Sequence, residues 1–254
     1  MRWFSFFALA PLCACASSTG DARQLDAGFF RGDADVLGDT SVPVRTDAGL
    51  YPLPDGGTVR ADRFVTRVVS FAPGECAGFG AEKLPDVVLG PPEGGGTSQG
   101  GTDVVSLGRL GTIVLGFEPN AIVDGPGPDF VVFENAFYIA GNPNNVYGEP
   151  GEISVSEDGI AWSTWSCTTT KAPWAPTCAG IHPVLSSSTS NISPLDYPAC
   201  GGDAFDLADL GLKHAKFVRV HDIGWQDCPT EPSKRTTTNG FDLDAISILN
   251  AEKP

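Results

Sequence analysis

Basic side chains are scarce in this sequence: 16 lysines and arginines stand against 31 aspartates and glutamates, for a formal charge of −15. That balance excludes the basic footprint with which proteins neutralise nucleic acid phosphates or anionic lipid headgroups. It suits a divalent cation or a neutral ligand better, and acidity also serves solubility. Histidine is scarcer still, at His182, His214 and His221, and none belongs to an HExxH pair. Gly94 to Gly101 is glycine-rich but lacks the Lys-Ser/Thr of a phosphate-binding loop and reads as a flexible loop. No cysteine spacing is CxxC, which disfavours zinc. Long apolar runs are missing too, and 31 glycines with 21 prolines leave little room for long helices.

What is present begins at the N-terminus. Arg2 precedes Trp3, Phe4, Phe6, Phe7, Ala8, Leu9 and Leu12, an apolar stretch behind a positive charge that is too short to span a bilayer. It runs into Leu12-Cys13-Ala14-Cys15, which resembles the lipobox of bacterial lipoproteins. The resemblance implies a signal peptide at 1–14, lipidation of Cys15 and a membrane anchor; Ala16 after it implies the outer membrane. An ordinary signal peptide cut near Ala14 or Ala16 is the alternative. Residues 15–60, which begin with the lipidated N-terminus, are rich in Asp, Gly, Ala, Thr and Pro without apolar period, as expected of a disordered acidic tether. Such a chain spans roughly 35 to 40 Å.

Residues 61–254 change character, to short β-rich runs at 64–71, 87–89, 103–107, 112–117, 129–133, 152–156, 161–166, 216–223 and 244–249. Gly, Pro, Asn and Asp separate them, the punctuation of an all-β sandwich or barrel. Only 205–211 has the spacing of a helical turn. Once Cys13 is removed and Cys15 lipidated, Cys76, Cys167, Cys178, Cys200 and Cys228 remain, an odd number in a compartment that permits disulfides. The short spacing favours Cys167 with Cys178, worth about 3 kcal/mol in the chain-entropy model. Cys200 would then pair with Cys228, and Cys76 would be left over.

Two segments resemble discoidin-type, galactose-binding-like domains. In the first, residues 155–162, Asp158-Gly159 makes a tight turn and Trp162 comes next as a core anchor; the second is residues 215–220. This implies a jelly-roll sandwich that often binds carbohydrate and holds a structural calcium. A longer similarity, to uncharacterised bacterial cell-surface proteins, lies in 125–135, 149–152, 202–209 and 240–246 and implies location and fold without function.

Alternation supplies an independent argument. A period of two in 241–249 puts Asp242 and Asp244 on the face of Ile246 and Ile248, and in 217–223 puts Asp222 with Val218 and Val220. Inward carboxylates are costly unless paired, hydrogen-bonded or bound to a cation. A calcium site drawn from Glu134, Asn135, Asp206, Asp222, Asp242 and Asp244 is therefore expected, with hydrogen bonding to loop amides as the alternative. Tyr138, Tyr147, Trp174, Tyr197 and Trp225, in long loops, are candidates for stacking on a glycan or contacting a surface protein. A non-catalytic binding or adhesive module is the resulting expectation, with a structural envelope protein and a carboxylate-pair hydrolase as the rivals.

Overall fold

A computed structural model describes residues 49–54, 56–168 and 172–254. The signal peptide, Cys15 and the first part of the expected tether lie outside the described residues. The remainder of that tether does not stay unpaired: β1 (Leu50–Pro52) and β2 (Thr58–Arg60) form an antiparallel hairpin. Tyr51 sets its ring edge-on to buried Phe64, and Arg60 pairs with Asp62 at 2.5 Å, so the hairpin packs on the adjoining β domain.

The sandwich is built from β3 (Arg67–Ala72), β4 (Val105–Ser106), β5 (Thr112–Gly116), β6 (Ile122–Val123), β7 (Phe130–Glu134), β8 (Phe137–Tyr138), β9 (Val146–Tyr147), β10 (Gly151–Ser156), β11 (Ser163–Trp165), β12 (Asp203–Phe205), β13 (His214–Ala215), β14 (Phe217–Asp222) and β15 (Asp242–Ile248). One sheet runs β11-β10-β14-β5-β3 and the other β12-β7-β15-β4, all antiparallel. Small ladders β13-β6 and β8-β9 flank them. The chain changes sheet at most steps, as a jelly roll does, so each strand contributes one apolar face to a shared interior.

Alternation explains which face. Ile113 and Leu115 of β5, Ile153 and Val155 of β10, and Val218 and Val220 of β14 meet Phe130, Val132, Ile246 and Ile248 from the opposite sheet in one buried core. Each such side chain contributes about 1.5 to 3 kcal/mol. Phe130, Trp165 and Phe205 form an aromatic triplet with ring centroids 5.1 to 5.8 Å apart. Trp165, not Trp162, is the core tryptophan: Trp162 lies half-buried on the outer face, under the Arg219 guanidinium at 4.7 Å. The turn before it keeps to its sequence, with Asp158 Oδ1 accepting from the Ile160 and Ala161 amides and Gly159 at φ 76°.

Three further expectations change. The run at 87–89 becomes a 3-10 turn, Asp86–Val88, because consecutive Val87 and Val88 are both buried and no strand alternation is available there. The helical turn expected in 205–211 is present as a 3-10 helix, Leu207–Leu210, but Phe205 itself ends β12. The disulfides are Cys167–Cys178, as expected, and Cys76–Cys228 rather than Cys200–Cys228. The Phe79 amide donates to Thr237 and the Asn239 amide to Cys76, which brings the loops carrying Cys76 and Cys228 together. Cys200 is a buried free thiol, its pKa pushed up to about 12 chiefly by burial.

Candidate acidic cation site

At one end of the sandwich β7 and β14 finish while β10 and β15 begin. The pairing of Glu134 with Leu243 and of Gly151 with Asp222 fixes that arrangement. Glu134 closes β7, Asp242 opens β15 and Glu149 stands just ahead of β10, so carboxylates from both sheets converge. One oxygen from each lies within 4.8 Å of one from each of the others, close enough to share one metal ion.

The three are 1%, 2% and 6% exposed in the order Glu134, Glu149, Asp242. None belongs to an ion pair among the described residues. Asp242 is held in place: the Ser106 hydroxyl donates to one oxygen and Asn135 Nδ2 to the other at 3.1 Å. Both oxygens of Glu134, and Oε1 of Glu149, have no partner in hydrogen-bonding geometry, although the Asn135 and Gly240 amides lie near enough to Glu134 and Glu149 respectively to offset a minor part of the rise in their pKa values. The electrostatic result is consistent across the group. Burial, then the charges of Glu149 and Asp242, hold the Glu134 carboxyl far above the usual range. Burial and the charges of Asp242 and Asp222 raise Glu149 to about 9. Burial raises Asp242 to about 6, against the two hydrogen bonds it accepts.

Neighbouring acids differ. Asp222 shares the inward face of Val218 and Val220, as its period predicts, but it is spent on amides: Leu110 and Gly224 donate to Oδ1 at 2.8 Å and Phe241 to Oδ2 at 3.0 Å. Gly240 permits this close approach, since at its φ of 77° a Cβ would stand 2.7 Å from the Gly108 carbonyl and 3.0 Å from Asp222 Cγ. Asp244 turns to the Glu93 amide. Its expected company with Asp242 on one face is broken by a β-bulge between Leu243 and Ala245, which shifts the phase so that Phe241, Leu243, Ile246 and Ile248 all reach the core. Asp206 lies in a second acidic group with Asp124 and Asp129, where it caps the 3-10 helix at Ala208. There Asp129 accepts from Gly125, Leu207 and Asn250, and Asp124 pairs with Lys213.

Of the six ligands expected, then, the structure brings Glu134 and Asp242 together with Asn135 beside them. It adds Glu149, which sequence reasoning missed. The available signal was an acid placed directly before a strand, in Glu149-Pro150-Gly151, outside any alternating run.

No family model matches the chain, and a search of curated proteins also finds no match.

Three of the five aromatic candidates pack against another ring. Tyr147 stacks on Phe137 at 5.1 Å and accepts a hydrogen bond from Gln226; Trp174 meets Trp225 edge-on at 5.4 Å. Tyr138 pairs with Val146 in the β8-β9 ladder, and Tyr197 is 37% exposed. A cleft of about 420 Å³ lies elsewhere, lined by Tyr51, Leu53, Pro92, Glu93, Asp103 and Ser188 among others. Gly96-Thr97-Ser98-Gln99-Gly100, within the glycine-rich loop, spells the pattern of a nucleophile elbow. It forms a bend with Ser98 exposed and lacks the strand-to-helix setting that gives that pattern its chemistry.

Proposed function

We propose that this protein is a membrane-anchored binding module that works outside the cytoplasm, recognises a neutral carbohydrate and carries a calcium ion. The observation that carries the binding reading is the Tyr51 cleft. Its walls are fixed before any ligand arrives, because Tyr51 rests on Phe64 and the Glu93 carboxylate is held by the amide and hydroxyl of Ser188. Its volume of about 420 Å³ falls in the range of small-ligand sites. The Tyr51 ring and prolines offer a flat apolar wall, while the Glu93 and Asp103 carboxylates and the oxygen of Ser188 offer acceptors for sugar hydroxyls. Among the described residues no lysine or arginine lines it, which disfavours an anionic ligand.

The extracytoplasmic setting is supported by the lipobox-like Leu12 to Cys15 and by two disulfides. Calcium fits the acidic chemistry, since extracytoplasmic modules bind it through oxygen ligands alone at about 10⁻⁴ to 10⁻³ M. The galactose-binding-like resemblance belongs to the same reading. A glycan array probed with the full chain tests it: binding to neutral glycans is expected, at least tenfold weaker for Tyr51→Ala. Silence across neutral polysaccharides, or indifference to that substitution, sinks the carbohydrate reading. Labelled palmitate should enter the wild-type chain and not Cys15→Ser, and equal labelling sinks the anchor.

A further inference from the structure

We infer that Glu134, Glu149 and Asp242 form one divalent-cation site, with all three carboxylates as direct ligands, that fastens the two sheets to each other at this end of the sandwich. This names the place of the calcium proposed above and rests on that reading.

The fold treats its other inward acids differently. Wherever else a carboxylate is buried it is given donors: Asp222 has three amides, Asp129 two amides and an Asn side chain, Asp203 the amides of Gly180 and Ile181 with the His182 ring. Glu134 is 1% exposed, and neither of its oxygens has a partner. A protein that satisfies its inward acids this thoroughly has left one bare on the side where two more carboxylates converge. A bound cation supplies what the amides do not.

The donor set decides the class of ion. Only carboxylate oxygens converge, with no cysteine or histidine in the group, which selects a hard cation over zinc or copper. Calcium takes oxygens at about 2.3 to 2.6 Å, so two of its ligands stand at most about 5 Å apart. The 4.8 Å within which one oxygen of each carboxylate meets the others is of that size. Ser106 and Asn135 each bond one Asp242 oxygen and set that carboxylate's orientation, the task of positioning residues around a metal. Asn135 Nδ2 also reaches the Gly101 carbonyl at 3.3 Å, tying the glycine-rich loop to the same point. Glu134 and Asp242 sit on neighbouring strands of the four-stranded sheet, whereas Glu149 leads into β10 of the five-stranded sheet. An ion held by all three is therefore a cross-link between the layers.

Titration calorimetry on the chelator-treated full chain tests this, paired with melting curves in calcium or magnesium chloride. One calcium per chain is expected, with the melting temperature rising by about 5 °C or more at millimolar calcium. Glu134→Gln and Glu149→Gln should each weaken calcium at least tenfold, while Asp124→Asn, in the amide-satisfied group, leaves affinity unchanged. In the chelated protein Glu134→Gln should not lower the melting temperature, because it removes a bare buried carboxylate and no hydrogen bond. Absence of both heat and thermal shift overturns the site and the calcium reading together. Calcium binding that survives Glu134→Gln and Glu149→Gln but is lost in Asp124→Asn overturns the site alone. Should one glutamine variant fail to fold, the other and the wild-type titration still decide.

Discussion

His182 shows how a single side chain can make stability depend on pH. Its Nδ1 lies 2.6 Å from Asp203 Oδ1, and the other oxygen of Asp203 is occupied by the Gly180 and Ile181 amides, so the carboxylate cannot turn away. The hydrogen bond, helped by the Asp203 charge and opposed by partial burial, raises the His182 pKa above its ordinary 6.5. A base whose folded pKa is raised binds its proton more tightly when folded. Its contribution is fully present below about pH 6.5 and is lost as pH climbs through the folded value. Urea denaturation across pH 5.5 to 8.5 should show that loss in the wild-type chain and a flatter profile in His182→Gln. An imidazole titration midpoint at or below 6.5, measured by NMR, would contradict the assignment. The pair also illustrates the difference between an orienting dyad and a catalytic one, since no nucleophile hydrogen-bonds to His182 among the described residues.

Among the elements, the two disulfides do unequal work. Cys167–Cys178 closes a separation of 11 residues and Cys76–Cys228 one of 152. In the chain-entropy model the shorter is worth about 3 kcal/mol and the longer about 5 kcal/mol. Urea midpoints of the paired serine variants Cys76→Ser/Cys228→Ser and Cys167→Ser/Cys178→Ser should differ in that order, by about 2 kcal/mol once converted. Equal losses would mean that native contacts, not chain entropy, set the value. The long bridge was also the one that spacing hid. A short loop between two cysteines is visible in sequence; a meeting of the 74–80 and 224–240 loops depends on the flanking strands β3 and β14, far apart in sequence, both pairing with β5. The same division runs through the strands. β5, β10 and β14 were legible because one residue in two is apolar and buried. β6, β8, β9 and β13 are two residues each, too short to carry a period. β15 was legible as a strand but misleading as a face, because its bulge inserts a residue between Leu243 and Ala245 and reverses the alternation on which the placement of Asp242 and Asp244 depended. Asp242 was therefore expected at the site on an alternation that the bulge breaks, Glu134 entered only as a residue completing the shell, and Glu149, outside any strand, was missed.

The whole molecule has unequal ends. The three converging carboxylates lie where β7 finishes and β15 begins, and the Gly151–Ala179 bridge and the Asn239–Cys76 hydrogen bond bring both disulfides to that end. The opposite end carries the Ser156–Asp158 turn and the Asp129 group, whose carboxylates are satisfied by amides, Asn250 and Lys213. One end is therefore fastened by covalent bonds and, if the cation site is as proposed, by an ion, whereas the other is fastened by hydrogen bonds that neither reductant nor chelator touches. Local opening begins at the weakest fastening. Hydrogen exchange on the full chain, with and without reductant plus chelator, should separate the two. Amides in 74–80, 139–149, 172–181 and 224–240 should speed up by about tenfold or more, which corresponds to ~1.4 kcal/mol of lost local stability. Those in 124–129, 157–162 and 206–212 should keep their rates. A uniform acceleration would mean that the sandwich opens as one unit and that the fastenings at the acidic end act on global stability. An acceleration confined to that end would show that it opens first when unfastened, leaving the jelly-roll core behind it closed.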